Sequence, residues 1–137
     1  MASPLALASC CNGWSSLCTT VSAAAASARE LHVSEDEARR RIWLVDSKGL
    51  VTATRSDFSS LAHHKVPYAH PSPGAASDVT DLLDAVTAVG ATALVGVSAQ
   101  GGTFTKAVVE QMSANAEHPL VFALSNPTSK VSVAAIP

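Results

Sequence analysis

Short runs of consecutive apolar residues alternate with amphipathic segments from residue 34 onward. The run IWLV at residues 42–45 is apolar at every position, which is typical of a strand buried on both faces of a sheet. The segments ATALVGV (91–97) and HPLVFAL (118–124) show the same pattern and predict two further strands. Each of the three runs ends in polar or small residues, namely DSK, SAQGG and SNPTS.

Polar caps and helical spacing predict a short first helix and a longer last one. Ser34 followed by Glu37 is a capping-box pattern, which predicts a helix from Ser34 to about Arg40. Thr103 or Thr105 can cap the last helix, because a hydroxyl oxygen accepts a hydrogen bond from a free backbone N–H of the first turn. The apolar residues of that last helix are Ala107, Val108, Val109 and Met112.

The clearest amphipathic helix is predicted between these two. Apolar residues recur at helical spacing from Val79 to Val89. Ser77 or Asp78 is the predicted cap, and Gly90 is the predicted end, because glycine readily takes the left-handed conformation that closes a helix.

This order of elements predicts an α/β fold, namely an incomplete Rossmann-like parallel sheet with covering helices. Fully apolar strands that alternate with helices are typical of parallel sheets covered on both faces. Ligands of such sheets bind outside the carboxyl ends of the strands. We therefore expect DSK, SAQGG and SNPTS to lie along one edge that faces a ligand.

Composition narrows the classes of partner. The chain has 137 residues with 47% apolar content, enough for one ordinary domain, although much of that content is alanine. A net charge of −2 with 9 Lys and Arg residues leaves no broad basic surface, which argues against a nucleic-acid partner. No apolar run approaches the roughly 20 residues of a membrane-spanning helix, so no membrane partner is expected.

The first 28 residues are rich in Ser, Ala and Thr, contain no acidic residue and show neither helical nor strand periodicity. A transit-like segment and a disordered or unrelated extension are both open interpretations. The cysteines, Cys10, Cys11 and Cys18, are odd in number and confined to this segment, so a reducing compartment is favoured over a disulfide framework.

The residues after the first predicted strand suggest a cofactor site. A carboxylate at the tip of such a strand, here Asp46, can accept hydrogen bonds from the adenosine ribose hydroxyls of a dinucleotide. The Ser47 hydroxyl and the Lys48 ammonium suit the extra 2′-phosphate of NADP. The alternative is an ordinary turn with solvated charges.

Three other segments carry weaker candidates. Ser98, Ala99 and Gly101 would let a ligand approach the backbone, and the Asn126 amide could reach a substrate carboxylate or the nicotinamide ribose. Simple turn geometry is the alternative for both segments. The adjacent histidines at 63–64 lack metal-site spacing and are expected in a solvated loop.

The segments EARRRIWLVDSKGLV, KVPYAH, DLLDAV, ALVGVSAQGGTFTKAVVEQM and HPLVFALSNPTSK resemble, in this order and roughly in this spacing, the cofactor-binding domain of malic enzymes. The most similar form is the NADP-dependent one of plants and algae. The resemblance implies a partial NAD(P)-binding domain at residues 34–130, an extension at 1–33 and a non-matching tail at 131–137. It implies oxidative decarboxylation of L-malate to pyruvate and CO2 with NADP (or NAD) and Mg or Mn.

The same resemblance assigns residue roles. It implies that Asp46, Ser47 and Lys48 meet the adenosine ribose and its phosphate, and that Lys65 neutralises the 2′-phosphate. Ser98, Ala99 and Gly101 would lie along the cofactor. Asn126 would contact the bound dicarboxylate and the nicotinamide region.

The family's catalytic and metal-binding residues have no counterpart in this chain, and its first glycine-rich strand and turn should precede Ser34. We therefore expect no turnover by this chain alone, a sheet without its central strand, and exposed apolar surface around Leu44 and Val95. A non-catalytic remnant or partner-binding module is the alternative function. Family members form oligomers, and a cytoplasmic and a plastid location are both open.

Overall fold

The computed structural model describes residues 5–8, 29–30, 32–74, 78–97 and 103–123, with the backbone alone for residues 5–8. The strands are β1 (Leu5–Ala8), β2 (Ile42–Asp46), β3 (Gly49–Leu50), β4 (Ala93–Gly96) and β5 (Leu120–Ala123). The α-helices are α1 (Glu35–Arg40), α2 (Leu82–Val89) and α3 (Lys106–Asn115), and two 3-10 helices cover Phe58–Ser60 and His63–Tyr68.

The strands form two hydrogen-bonded groups, β1–β2–β3 and β4–β5, in which most pairs are parallel. β2 pairs in parallel with β1 and in antiparallel fashion with the short β3, and β4 pairs in parallel with β5. β1 also lies beside β4, which places it between the two paired groups. This arrangement, with helices between the strands along the chain, is a Rossmann-like α/β fold and confirms the predicted class.

Strand β1 corrects one expectation. It lies within residues 1–33, where the sequence predicts no strand, and it stands between β2 and β4, where a missing element was expected. The pattern LALA is too short and too rich in alanine to show strand periodicity by itself. Pairing with β2, in the register Leu5 with Ile42, supplies the backbone hydrogen bonds that the local sequence does not reveal.

One face of the sheet is covered by α2 and α3. The buried apolar residues there come from β2, β3, β4, both helices and the segments before β4 and α3, with Trp43 and Val121 packed at the margin. The members of this first core cluster are Val45, Leu50, Leu82, Ala85, Val86, Ala91, Leu94, Phe104, Val108 and Met112. The amphipathic pattern of the sequence therefore places α2 and α3 as predicted, with their apolar sides on the strands.

The opposite face is covered mainly over β2. Ile42 and Leu44 pack there with Val51 and Tyr68, and Val95 lies at the margin of this second core cluster. Leu44 is only 7% exposed, so the prediction that it lacks partners is wrong. Exposed large apolar side chains are found instead on β5 and on the two 3-10 helices.

The helix ends agree with the sequence in part. Ser34 caps α1 by accepting a hydrogen bond from the Glu37 N–H at 3.2 Å, as predicted. Gly90 ends α2 in the left-handed conformation, and Thr105 caps α3, which settles the choice left open at that helix. In the part of the chain that the structure describes, none of the helices is long and apolar enough to cross a bilayer.

The predicted cap of α2 is wrong. Asp81 takes this role, with its Oδ2 atom accepting a hydrogen bond from the Leu83 N–H at 3.1 Å. Asp78 instead accepts a hydrogen bond from the Ser56 backbone N–H at 3.2 Å, and Ser77 lies outside the described residues. Both aspartates are suitable caps by residue type, and the tertiary contact to Ser56 decides between them.

Candidate functional site

The turn that follows β2 depends on a glycine. Gly49 has a φ of +109°, and a Cβ atom at this position would lie 2.1 Å from the Val79 carbonyl oxygen. The next residue, Leu50, donates its N–H to the same carbonyl at 2.7 Å. The close approach of these two segments requires a residue without a side chain, and it fixes the turn that carries Asp46, Ser47 and Lys48.

The Asp46 carboxylate, at the tip of β2, is 8% exposed and is surrounded by donors. Arg55 approaches with Nη1 at 2.9 Å from Oδ1 and Nη2 at 3.3 Å from Oδ2. Lys65 Nζ lies 2.7 Å from Oδ2, and the Lys48 backbone N–H donates to Oδ1 at 3.0 Å. Burial opposes ionisation of Asp46, but these hydrogen bonds outweigh it and lower the pKa of the carboxyl.

A second carboxylate, that of Asp57, extends the network. Arg55 donates from Nε to Asp57 Oδ1 at 2.5 Å, and Lys48 Nζ donates to Asp57 Oδ2 at 2.7 Å. The Arg55 side chain is 4% exposed and lies between the two carboxylates. Burial opposes the charge on Arg55, yet its hydrogen bonds to Asp46 and Asp57 raise its pKa, so it remains a cation.

Lys65 is held in place by the 3-10 helix His63–Tyr68. Tyr68, at its end, is 3% exposed and packs in the second core cluster. Just beyond, the His70 ring bonds through Nε2 to the Ile42 carbonyl oxygen at 2.8 Å, and its ring lies against Trp43. His63 and His64 are exposed, as predicted, but they lie in this 3-10 helix and not in a loop, and the anchoring of the helix to β2 brings Lys65 to Asp46.

These side chains surround an open pocket of about 320 Å³ at the carboxyl end of β2. Three cations and two carboxylates line it, which gives a net charge of +1 when the histidine is neutral. The lining residues are Asp46, Ser47, Lys48, Arg55, Asp57, Ser60, Leu61, Ala62, His64 and Lys65. Ammonium groups and hydroxyls at one concave surface are suited to bind an anion such as a phosphate group.

The structure brings together half of the residues singled out in the sequence. Asp46, Ser47, Lys48 and Lys65 line the same pocket although 19 positions separate the first from the last. The oxygens of Asp46 accept hydrogen bonds from Arg55 and Lys65. The predicted contact of Asp46 with ribose hydroxyls stays a prediction. The remaining candidates lie outside the described residues: Ser98, Ala99, Gly101 and Asn126.

Sequence reasoning missed the two residues that link the network, Arg55 and Asp57. They lie in a connecting segment with no periodicity, and Arg55 stands nine positions from Asp46. The signal that could have found them is charge alone, because a basic and an acidic residue flank Ser56 close to a strand that ends in Asp46.

No candidate metal centre accompanies this pocket in the described part of the chain. Among residues 29–30, 32–74, 78–97 and 103–123, no three His, Cys, Asp or Glu side chains are grouped so that they could hold a metal ion. The two carboxylates of the pocket are paired with cations, which makes them poor ligands for a second positive charge.

Comparison with known proteins gives one consistent family. The family described as "Malic enzyme, NAD binding domain" matches residues 13–136. NADP-dependent malic enzyme 2 of Arabidopsis thaliana is 50% identical over 99 residues, which cover 72% of this chain and 16% of that protein. The chloroplastic NADP-dependent malic enzyme of Flaveria trinervia is 45% identical over 102 residues, or 74% of this chain and 15% of that protein.

The match is broader than the sequence motifs indicate and covers little of each relative. It begins at residue 13 and ends at residue 136, whereas the motifs run from residue 34 to residue 130. The NADP-dependent malic enzyme of Vitis vinifera is 50% identical over 95 residues, 69% of this chain and 15% of that protein. The chain thus spans about one sixth of the length of the curated relatives it matches.

Proposed function

The chain belongs to the malic enzyme family through its NAD-binding domain, and on that premise we propose that the pocket at the end of β2 binds the adenosine 2′-phosphate of NADP. One observation carries this proposal. Lys48 and Lys65, 17 positions apart in the sequence, line one pocket with a net positive charge.

The ammonium groups have the donors that a phosphate needs. Each lysine has three N–H donors and uses one on a carboxylate, Lys48 on Asp57 and Lys65 on Asp46. Two donors on each remain for a ligand. A phosphate monoester carries about −1.5 to −2 charges at neutral pH, so it gains more from this pocket than the ribose hydroxyl of NAD does.

The wider proposal concerns the whole enzyme. Relatives named NADP-dependent malic enzymes suggest oxidative decarboxylation of L-malate to pyruvate and CO2 with Mg or Mn, in the plastid or the cytosol. In that setting we assign Ser98, Ala99 and Gly101 to the cofactor backbone, and Asn126 to the dicarboxylate and nicotinamide. The present chain contributes cofactor binding, and we expect no turnover of malate by it alone.

A second function is favoured by the exposed face of β5. Leu120 and Phe122 are 54% and 50% exposed, and apolar side chains of this size on a strand commonly mark a contact with another polypeptide. A non-catalytic, partner-binding module would use this face. The two functions are separable, because none of the residues that line the pocket belongs to β5.

Calorimetric titration tests the main proposal. Adenosine 2′,5′-bisphosphate and 5′-AMP differ only in the 2′-phosphate, so the ratio of their dissociation constants isolates its contribution. We expect the bisphosphate to bind at least about tenfold more tightly, because one charge-assisted hydrogen bond contributes about 1.5–3 kcal/mol.

Variants locate the effect within the chain. Lys48→Ala and Lys65→Ala should each reduce the ratio severalfold. Lys106→Ala is the matched control, because Lys106 is an exposed lysine on α3 that pairs with Glu110. Equal affinities of the wild-type chain for the two nucleotides would refute the proposed function.

A further inference from the structure

Asp57 touches the pocket without being an obvious ligand for an anion. It follows the turn that carries Arg55 and stands directly before the 3-10 helix Phe58–Ser60. Its Oδ1 atom accepts a hydrogen bond from Arg55 Nε, and its Oδ2 atom accepts one from Lys48 Nζ at 2.7 Å. Asp57 therefore joins a buried cation to an exposed one.

The Arg55 end of this connection is rigid. The guanidinium is 4% exposed, and its three nitrogens donate to Asp46 and Asp57, with Nη1 also 3.5 Å from the Gly49 carbonyl oxygen. Arg55 is thus fully engaged by protein acceptors. It connects the position of Asp57 to the tip of β2 and takes no direct part in binding an anion.

The Lys48 end is mobile by nature. Its side chain is 63% exposed, and a free lysine side chain loses about 1.5–2 kcal/mol of conformational entropy when it is fixed. The bond to Asp57 fixes the ammonium group at the rim of the pocket before any ligand arrives. Part of the entropy cost of ordering Lys48 then falls on folding and not on binding.

We propose that Asp57 is a positioning residue that orders Lys48 for contact with the 2′-phosphate. This inference rests on the proposed function, because it concerns the same pocket. Asp57 acts through Lys48, and Arg55 anchors Asp57 to Asp46. The residue makes the pocket selective for a phosphate group, and it does not itself touch the cofactor.

The carboxylate of Asp57 is also a negative charge near a bound phosphate, so it has two opposing effects on binding. Its charge is shared by two cations, Arg55 and Lys48, and the five charged residues of the network sum to +1. The field at the pocket is therefore positive with Asp57 in place. When Asp57 is replaced, we expect the affinity lost through disorder of Lys48 to exceed the affinity gained through weaker repulsion of the phosphate.

Asp57→Asn tests this sharply. The amide oxygen can still accept a hydrogen bond from Arg55 Nε, while the amide nitrogen, a donor, replaces the atom that holds Lys48. In calorimetric titrations of the full chain, adenosine 2′,5′-bisphosphate should bind about threefold more weakly, in line with the value of a partly exposed ion pair. The affinity for 5′-AMP should stay unchanged.

A double-mutant cycle separates positioning from a general structural role. In the Lys48→Ala background, Asp57→Asn should cause no further loss of bisphosphate affinity, because only the repulsion between Asp57 and the phosphate is then removed. With Lys48 present, Asp57→Glu should bind the bisphosphate more tightly than Asp57→Asn does. An unchanged or tighter affinity of Asp57→Asn would overturn the inference. A loss that persists without Lys48 would overturn it as well.

A measurement on the unmodified chain covers the case in which Asp57→Asn does not fold. The 13C–1H order parameter of the Lys48 ε-methylene should exceed that of Lys106, and equal values would overturn the inference. A different result would refute the proposed function itself, namely equal affinities of the wild-type chain for the two nucleotides. Preference for the bisphosphate together with a disordered Lys48 rejects only the role of Asp57.

Discussion

Strands β2 and β5 are similar in sequence and different in their surroundings. Both are short, apolar and paired in parallel with one neighbour. Ile42 and Leu44 of β2 are 0% and 7% exposed, whereas Leu120 and Phe122 of β5 are 54% and 50% exposed. An apolar run therefore predicts a strand, while the elements that cover the strand decide whether it is buried.

The cover over β2 is also what builds the site. Tyr68 and Val51 close the second face of β2, and the same two chain segments carry Lys65 and Arg55 to Asp46. Over β5, the second core cluster contains no residue from that strand among those described. Burial of β2 and assembly of the charged pocket are therefore two results of one packing arrangement.

Removal of the central cation should disturb this arrangement most. Arg55→Met leaves the Asp46 carboxylate, 8% exposed, without its bidentate partner, and breaking a buried ion pair in this way costs about 3–5 kcal/mol. We expect the free energy of unfolding, measured by urea denaturation, to fall by this amount.

The matched control for Arg55 lies on α1. Arg40 is 75% exposed and stands 3.8 Å from Glu37, so Arg40→Met should cost less than about 1 kcal/mol. Similar losses for the two variants would mean that the charges at the tip of β2 are no more dependent on one another than those on a helix surface.

Replacement of one leucine on each strand compares how much the two strands contribute to stability. Leu44→Ala on β2 should lower the free energy of unfolding by about 2–4 kcal/mol, because it empties a buried volume. Leu120→Ala on β5 should lower it by less than about 1 kcal/mol, because much of that side chain is already in water. Equal losses measured by urea denaturation would show that β5 is covered in solution.

Acid should weaken the charged network at the tip of β2 and leave β5 unaffected. We expect this change in the free energy of unfolding to be smaller than those caused by the arginine and leucine substitutions. The pKa of Asp46 is lowered from its ordinary value of 3.8, so its contribution to stability is complete above about pH 3.8 and is lost as the pH falls below it. Lys65→Met removes one hydrogen bond that lowers this pKa, so the variant should lose less stability between pH 4 and pH 2. If the urea midpoints of the unmodified chain and of Lys65→Met change equally with pH over that range, the prediction is wrong.

The sheet and the helices could be predicted because they repeat a pattern. Apolar runs marked β2, β4 and β5, and the spacing from Leu82 to Val89 marked α2, since burial on a strand or helix face imposes a period on the sequence. The LALA stretch of β1 could not, because four small or apolar residues carry no such period. Its partner, β2, lies more than 30 positions away and supplies the structure.

The residues of the site also fall into a group that the sequence predicts and a group that it does not. Asp46, Ser47 and Lys48 follow a predicted strand, and ligands bind at strand ends in such folds, so the sequence predicts them as site residues. Arg55 and Asp57 reach the pocket through a turn whose path depends on tertiary contacts. Charges from distant segments meet at a pocket because of packing, and packing of that kind leaves no periodic signal in the sequence.

We propose that the tip of β2 is a phosphate site, and a crystal structure of the chain with adenosine 2′,5′-bisphosphate would show the contacts of the 2′-phosphate. We expect the 2′-phosphorus atom within about 4 Å of both Lys48 Nζ and Lys65 Nζ. A nucleotide bound with its 2′-phosphate in solvent, or at a surface that excludes these two lysines, would contradict it.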